Sequence, residues 1–143
     1  AAVLLAFEQV GGADACLDMA KGYALERYAF GRQIAAYQAI KHRLADMYAK
    51  NILARGNAYY GAWALNSDAP ELPIAAAGAR ISASDASGFA AREKVQVHGG
   101  MGFTWEVDCH LHYRRSQQLS LVAGGPRLWK ERLVSRLERR NAA

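Results

Sequence analysis

Between Leu72 and Val97 the chain carries ten alanines and glycines: Ala75, Ala76, Ala77, Gly78, Ala79, Ala83, Ala86, Gly88, Ala90 and Ala91. The only proline there is Pro73. It sits where a first helical turn tolerates it, because the missing N–H would have no intrahelical partner. The pattern predicts a helix over residues 72–97. Small side chains let the axes of neighbouring helices come close, so this stretch demands partners packed tightly around it.

The remaining segments supply those partners. Val3, Phe7, Val10, Leu17, Ala20 and Ala24 fall near a 3.5-residue period and predict a helix over 2–29, weakened locally by Gly11 and Gly12. Tyr37, Ile40, Leu44 and Met47 form one stripe of a second helix over 37–66, and Ile52, Tyr59 and Trp63 another. Asn66 to Pro70 is a loop. Residues 106–116 suit a short helix. After Gly124-Gly125-Pro126, Leu128, Trp129, Leu133 and Leu137 keep helical spacing to the end. No strand alternation and no internal repeat is found. The expected fold is all-α: an antiparallel up-and-down four-helix bundle, with three long helices, a shorter C-terminal one and a short extra helix. The loops are short, which favours antiparallel neighbours.

At 143 residues the chain is one domain with one core, expected over 1–143. Its 52% hydrophobic and 22% charged content is ordinary for a globular protein. No apolar run reaches the ~20 residues needed to cross a bilayer. Ala1 to Phe7 is apolar, but it lacks a basic flank and ends at Glu8, so it does not read as a signal peptide. With no initiator Met, the chain is expected to begin inside a longer protein. Cys16 and Cys109 form no metal or disulfide pattern and are expected to be buried, reduced thiols of a cytoplasmic protein. The net charge of +5 is concentrated in 126–143, where six basic side chains stand against Glu131 and Glu138. We read that segment as a solvated face, or one meeting an acidic neighbour, and expect no nucleic-acid binding.

Few residues suggest chemistry by spacing alone. No Glu precedes a His by three residues, so a bundle di-iron site is not expected. Cys109, His110 and His112 cluster, but His42 and His98 lie on other elements, and no metal site is assigned. Ser82, Ser84 and Ser87 lie within a helix, with no nucleophile elbow. Two features remain. Arg27-Tyr28-Ala29-Phe30-Gly31 closes the first helix with a guanidinium suited either to the helix dipole or to gripping a phosphate. Gln96-Val97-His98-Gly99-Gly100-Met101-Gly102 closes the third, with glycines that admit a close approach to the backbone. Their spacing fits neither a dinucleotide fingerprint nor a P-loop. Gln38, early in the second helix, could add an amide to the same surface.

Taken together, four segments resemble the C-terminal helical domain of acyl-CoA dehydrogenases. They are Arg27 to Arg32, Gln38 to Met47, Gln96 to Gly102, and Tyr113-Arg114-Arg115, and the similarity runs from residue 2 to about 135. The resemblance implies the last third of a longer protein, following an N-terminal helical domain and a middle β-domain. It implies FAD as cofactor and α,β-dehydrogenation of a fatty or sterol acyl-CoA thioester. Homo- or hetero-oligomers and an electron-accepting protein partner are implied as well. The matching cofactor-binding positions are Arg27, Phe30, Gln38, Gln96, Gly99 and Gly100.

One departure stands out. The family's base lies in a turn after the arginine-rich segment, which falls here on Val122-Ala123-Gly124-Gly125, or near the start of the first helix, which falls on Ala1. Neither Ala123 nor Ala1 can take a proton, so no catalytic residue is assigned. Glu8, two turns along from Ala1, is the remaining candidate, and Glu106 reads as a surface or capping carboxylate. A chain with flavin-contact motifs and no base suits a subunit whose partner supplies one.

Overall fold

The alanine-rich segment forms the central helix, α3 (Leu72–His98), of the computed structural model, which describes residues 1–142. Two long helices, α1 (Ala2–Glu26) and α2 (Gln38–Asn66), pack along α3, and α4 (Cys109–Leu121) and α5 (Pro126–Asn141) cover its other sides. Two short 3-10 turns, Ile34–Ala36 and Gly99–Phe103, lie between helices. The direction alternates from α1 to α2 to α3. One buried cluster joins the start of α1 (Ala6, Val10) to the second half of α2 (Ala54, Ala58) and the first half of α3 (Ala79, Ala83, Ala86). A second joins Ala20 and Ala24 of α1 to Met47 of α2 and to Ala90, Ala91 and Val97 of α3. Alanine at these crossings is what permits the short interaxial distance. The all-α architecture expected from the sequence is the one observed.

Three local expectations are corrected. The first helix ends at Glu26 rather than residue 29, because Arg27 turns extended (φ −79°, ψ 127°). The chain then folds back as a hairpin of two short antiparallel strands, β1 (Tyr28–Ala29) and β2 (Arg32–Gln33), where no strand was expected. Phe30 and Gly31 form its tip with φ of 51° and 78°, the paired positive angles of a type I′ turn. The short helix starts at Cys109 rather than 106 and runs on to Leu121. Thr104 holds the preceding residues in a turn: its hydroxyl donates to Met101 O at 2.9 Å and accepts from Glu106 N–H at 3.4 Å. The C-terminal helix opens with Pro126 at its first position, and Ala143, within the expected run to the chain end, lies outside the described residues.

A buried arginine ties the layers together. Arg80 of α3 is 1% exposed. Its guanidinium donates to Gln9 Oε1 on α1, to Leu119 O, to Val122 O at 2.8 Å and to Ser84 Oγ at 3.0 Å. Leu119 and Val122 end α4, where carbonyls lose their intrahelical partners, so Arg80 caps that helix from inside the protein. Shedding its water lowers the affinity of Arg80 for its proton, but four acceptors compensate. Arg80→Ala strands those acceptors in the interior, and we expect it to lower unfolding free energy by about 3 kcal/mol. Arg127→Ala, which removes an exposed i,i+4 pair with Glu131, should change stability by less than about 0.5 kcal/mol. Urea titrations of both variants check the contrast, and equal effects would overturn the assignment of Arg80 as a structural tie.

Candidate functional site

Residues singled out from the sequence converge on one end of the bundle, where α1 and α3 finish and α2 and α4 begin. Arg27 stands there with a fixed backbone and a free side chain. Its N–H donates to Tyr23 O at 2.9 Å and its carbonyl accepts from Ile34 N–H at 2.8 Å. Its side chain is exposed and makes no ion pair among the described residues. Phe30, at the hairpin tip, is 97% exposed. A bulky residue at positive φ with no packing partner holds a costly conformation, a pattern that collects at functional sites. Tyr37 steadies the hairpin from below: its hydroxyl donates to Ala29 O at 2.9 Å, and Arg32 lies over its ring at 4.1 Å.

Gln38 is the first residue of α2, a helix with no side-chain cap and no acid in its first turn. Its leading N–H groups therefore remain available to an anion. Across from it, His98 ends α3. The His98 ring stacks on Tyr23 at 4.3 Å, and its Nδ1–H donates to Lys94 O at 2.8 Å. This stack joins the ends of α1 and α3 and so brings Arg27 to the same end as Gln96, Gly99 and Gly100, all of which are exposed.

The structure gives the three glycines different duties. Gly99 has φ 60° and ψ −135°, a conformation that side-chain-bearing residues avoid. A Cβ on Gly102 would lie 2.7 Å from Val95 O, so that glycine serves internal packing. A Cβ on Gly100 would meet nothing within 4 Å. A Cβ on Gly99 would likewise meet nothing, so Gly99 and Gly100 together present bare backbone to open space. An unpaired guanidinium, an uncapped helix start, two exposed amides and a bare backbone segment form a donor-rich, weakly cationic surface. That donor set fits the pyrophosphate of a dinucleotide such as FAD.

The candidate acids and ligands lie elsewhere or are engaged. Glu8 receives hydrogen bonds from Arg115 of α4, with Nε at 2.8 Å. Ala1 precedes α1, and Ala123 lies in the turn after α4 with φ 60°. Glu106 is exposed. His110 Nδ1 lies 3.2 Å from Val107 O and His112 Nδ1 2.8 Å from Lys94 Nζ, while Cys109 is buried. Sequence reasoning missed Arg32, Phe103 and Trp105, exposed residues at this same end, and Lys94 buried beneath it. The aromatics carried a signal, since two large rings beside a glycine turn rarely face water without cause. Lys94 did not, for a lysine on a helix reads as solvated.

Residues 1–136 match the family model described as acyl-CoA dehydrogenase, C-terminal domain. The chain is 42% identical over 137 residues to the acyl-CoA dehydrogenase IpdE2 of Mycobacterium tuberculosis, a match covering 94% of this chain and 41% of that protein. It thus spans less than half the length of that curated relative. Among solved structures it superposes on the Tcur3481–Tcur3483 steroid ACAD with a TM-score of 0.94 at 27% identity, covering 99% of this chain and 39% of that one. It is also similar to a chain of the ChsE4–ChsE5 complex from Mycobacterium tuberculosis, with a TM-score of 0.90 at 28% identity over 96% and 37% of the two chains.

His98 makes the site end sensitive to acid. Burial pushes its pKa below the ordinary 6.5, with the nearby Lys94 charge acting in the same direction and the bond to Lys94 O against it. The unfolded chain therefore takes up this proton more readily than the folded one. Stability should be fully present above about pH 6.5 and fall as pH drops below it. Urea midpoints at pH 7.5 and pH 5.5 should show that loss, and His98→Gln should shrink it. An unchanged loss in the variant would exclude His98 as its source.

Proposed function

Since this chain belongs to the acyl-CoA dehydrogenase family, we propose that it is the C-terminal, flavin-contacting domain of an enzyme that dehydrogenates an acyl-CoA thioester between Cα and Cβ. The full protein on this reading carries an N-terminal helical domain and a middle β-domain ahead of this segment. The observation that carries the reading is the convergence of Arg27, Phe30, Gln38, Gln96, Gly99 and Gly100 on one end of the bundle, with an uncapped helix start among them. Arg27 and the α2 amides would hold the pyrophosphate of FAD, Gln38 and Gln96 would orient it, and Gly100 would admit close approach. FAD bound there would accept the hydride from Cβ.

The α-proton needs a carboxylate, and this chain offers none that is suitably placed. Positions 1 and 123 are alanines, and Glu8 is held by Arg115. We therefore infer that a partner subunit supplies the base, as one half of a mixed assembly. The likeness to the ChsE4–ChsE5 complex supports that arrangement. A ring-bearing, sterol-derived acyl group is the substrate favoured by the likeness to a steroid ACAD. Two unpaired, buried thiols suit a reducing compartment such as the cytoplasm, and an electron-accepting protein would reoxidise the flavin.

A second reading, a bundle that serves assembly alone, draws on the apolar side chains that α2 exposes, among them Leu53, Tyr59 and Trp63. Arg27→Ala in the full-length protein separates the two. Loss of charge-assisted bonds to a phosphate should weaken FAD retention tenfold or more, since each contributes about 1.5–3 kcal/mol. Unchanged FAD content would favour the assembly reading. Anaerobic titration with acyl-CoA thioesters tests the missing base. The flavin should bleach only when the partner subunit is co-expressed, and bleaching by this protein alone would show that a base exists within it.

A further inference from the structure

Between α1, α3 and α4 lies a cavity of about 160 Å³. Gln9 and Cys16 of α1, Ser87 of α3, and Ser116 and Leu119 of α4 form its inner wall, and all five are buried. Gly12 completes the wall on α1. A Cβ there would meet nothing within 4 Å, so the space exists partly because position 12 carries no side chain. Protein interiors pack as densely as organic crystals, and a void of this size is uncommon in them.

Polar residues contribute to the wall, but their hydrogen bonds run elsewhere. The Ser87 hydroxyl donates to Ser84 O at 3.3 Å, and that of Ser116 to Tyr113 O at 2.8 Å. Gln9 donates from Nε2 to Ser84 Oγ at 3.2 Å and accepts from Arg80 at Oε1. His112 Nδ1 lies 2.8 Å from Lys94 Nζ and 3.1 Å from Asp108 O. What faces the space is mainly carbon, together with the Cys16 sulfur. Cys16 is a neutral thiol, because burial pushes its pKa up to about 11. A cluster of waters filling this volume would need roughly two to four polar partners for each molecule. The remaining lone pairs of two serines and a weak thiol donor do not supply them.

The charged residues of the wall, Glu8 and Arg115, are exposed and stand on its outer side. Arg115 donates from Nε to Glu8 Oε1 at 2.8 Å and from Nη1 to Gln118 Oε1 at 2.9 Å. The two charges cancel, so an ion passing inward would lose its water with no opposite charge to offset the loss.

We propose that this cavity, beneath the Glu8–Arg115 pair, is a binding site for an uncharged, mainly apolar molecule of about benzene size. In an unrelated protein an apolar cavity of about 150 Å³ stays dry and takes benzene. The site shares no residue with the surface formed by Arg27, Gln38, Gln96, Gly99 and Gly100, and it does not depend on the function proposed above.

Benzene itself is the probe. Titrated into the protein and followed by amide and methyl NMR shifts, it should saturate, with changes centred on Cys16, Ser87, Ser116 and Leu119. Benzoate, similar in shape but charged, should give none of these changes, and equal binding of benzoate would overturn the ligand class. Gly12→Leu roots its side chain in open space and fills the cavity, so it should weaken benzene binding about tenfold or more. If that variant does not fold, Gly12→Ala, a smaller fill that also suits a helix, should weaken binding measurably and decides alone. Ser87→Ala, which takes a hydroxyl from the wall, should bind benzene at least as tightly as the wild type. Shifts that centre instead on the exposed apolar side chains of α2, or that persist undiminished in the Gly12 variants, overturn the proposal. The absence of any saturable change does so as well.

Discussion

Alanine at the helix crossings is the constraint on which this fold depends. Close axes leave little room for large side chains, and an alanine removes little apolar area from water. Much of the attraction must then come from dense backbone-to-backbone contact, each atom pair weak and the sum large. Two buried cations of α3, Arg80 and Lys94, each reach the main chain at one terminus of α4. The short helix is therefore held at both ends by cations from the same neighbour. Its position along α3 is set by hydrogen bonds more than by apolar packing.

The candidate site separates the fixing of a group from its use. Arg27 is held through its own N–H and carbonyl, and its guanidinium is left free. Gly102 accepts a close contact and Gly99 an unusual backbone angle, and Gly99 and Gly100 present bare main chain. At the hairpin, Tyr37 bonds beneath the tip, and Phe30 stands clear of everything. Side chains kept out of internal bonds lose less when a ligand arrives, because fewer protein contacts must first be broken.

Helix periodicity and small-residue density made the bundle legible from residue order. The four motif segments marked out the candidate site, because their order along the chain is local information. The hairpin was not legible. Two-residue strands have no room for alternation, and Phe30 at positive φ follows from a turn closed by Ile34 and Tyr37 rather than from its own preference. Arg80 and Lys94 escaped for a related reason. A cation on a helix is ordinarily solvated, and only the distant carbonyls of Leu119, Val122 and Asp108 turn these two inward. The start of α4 shifted because Thr104 binds its own neighbours, a local competition that periodicity does not register.

The up-down-up order has an electrostatic consequence at the site end. Two helices finish there, α1 and α3, and two begin, α2 and α4. Their macrodipoles oppose one another in pairs, so the backbone field at that end is closer to a quadrupole than to a dipole and decays steeply with distance. Long-range attraction of an anion cannot then come from the main chain. It falls to the exposed guanidinium charges of Arg27 and Arg32, and the helix amides act only once the ligand is within hydrogen-bonding reach. Capture and final seating are thereby assigned to different parts of the same surface, and added salt would weaken the first far more than the second.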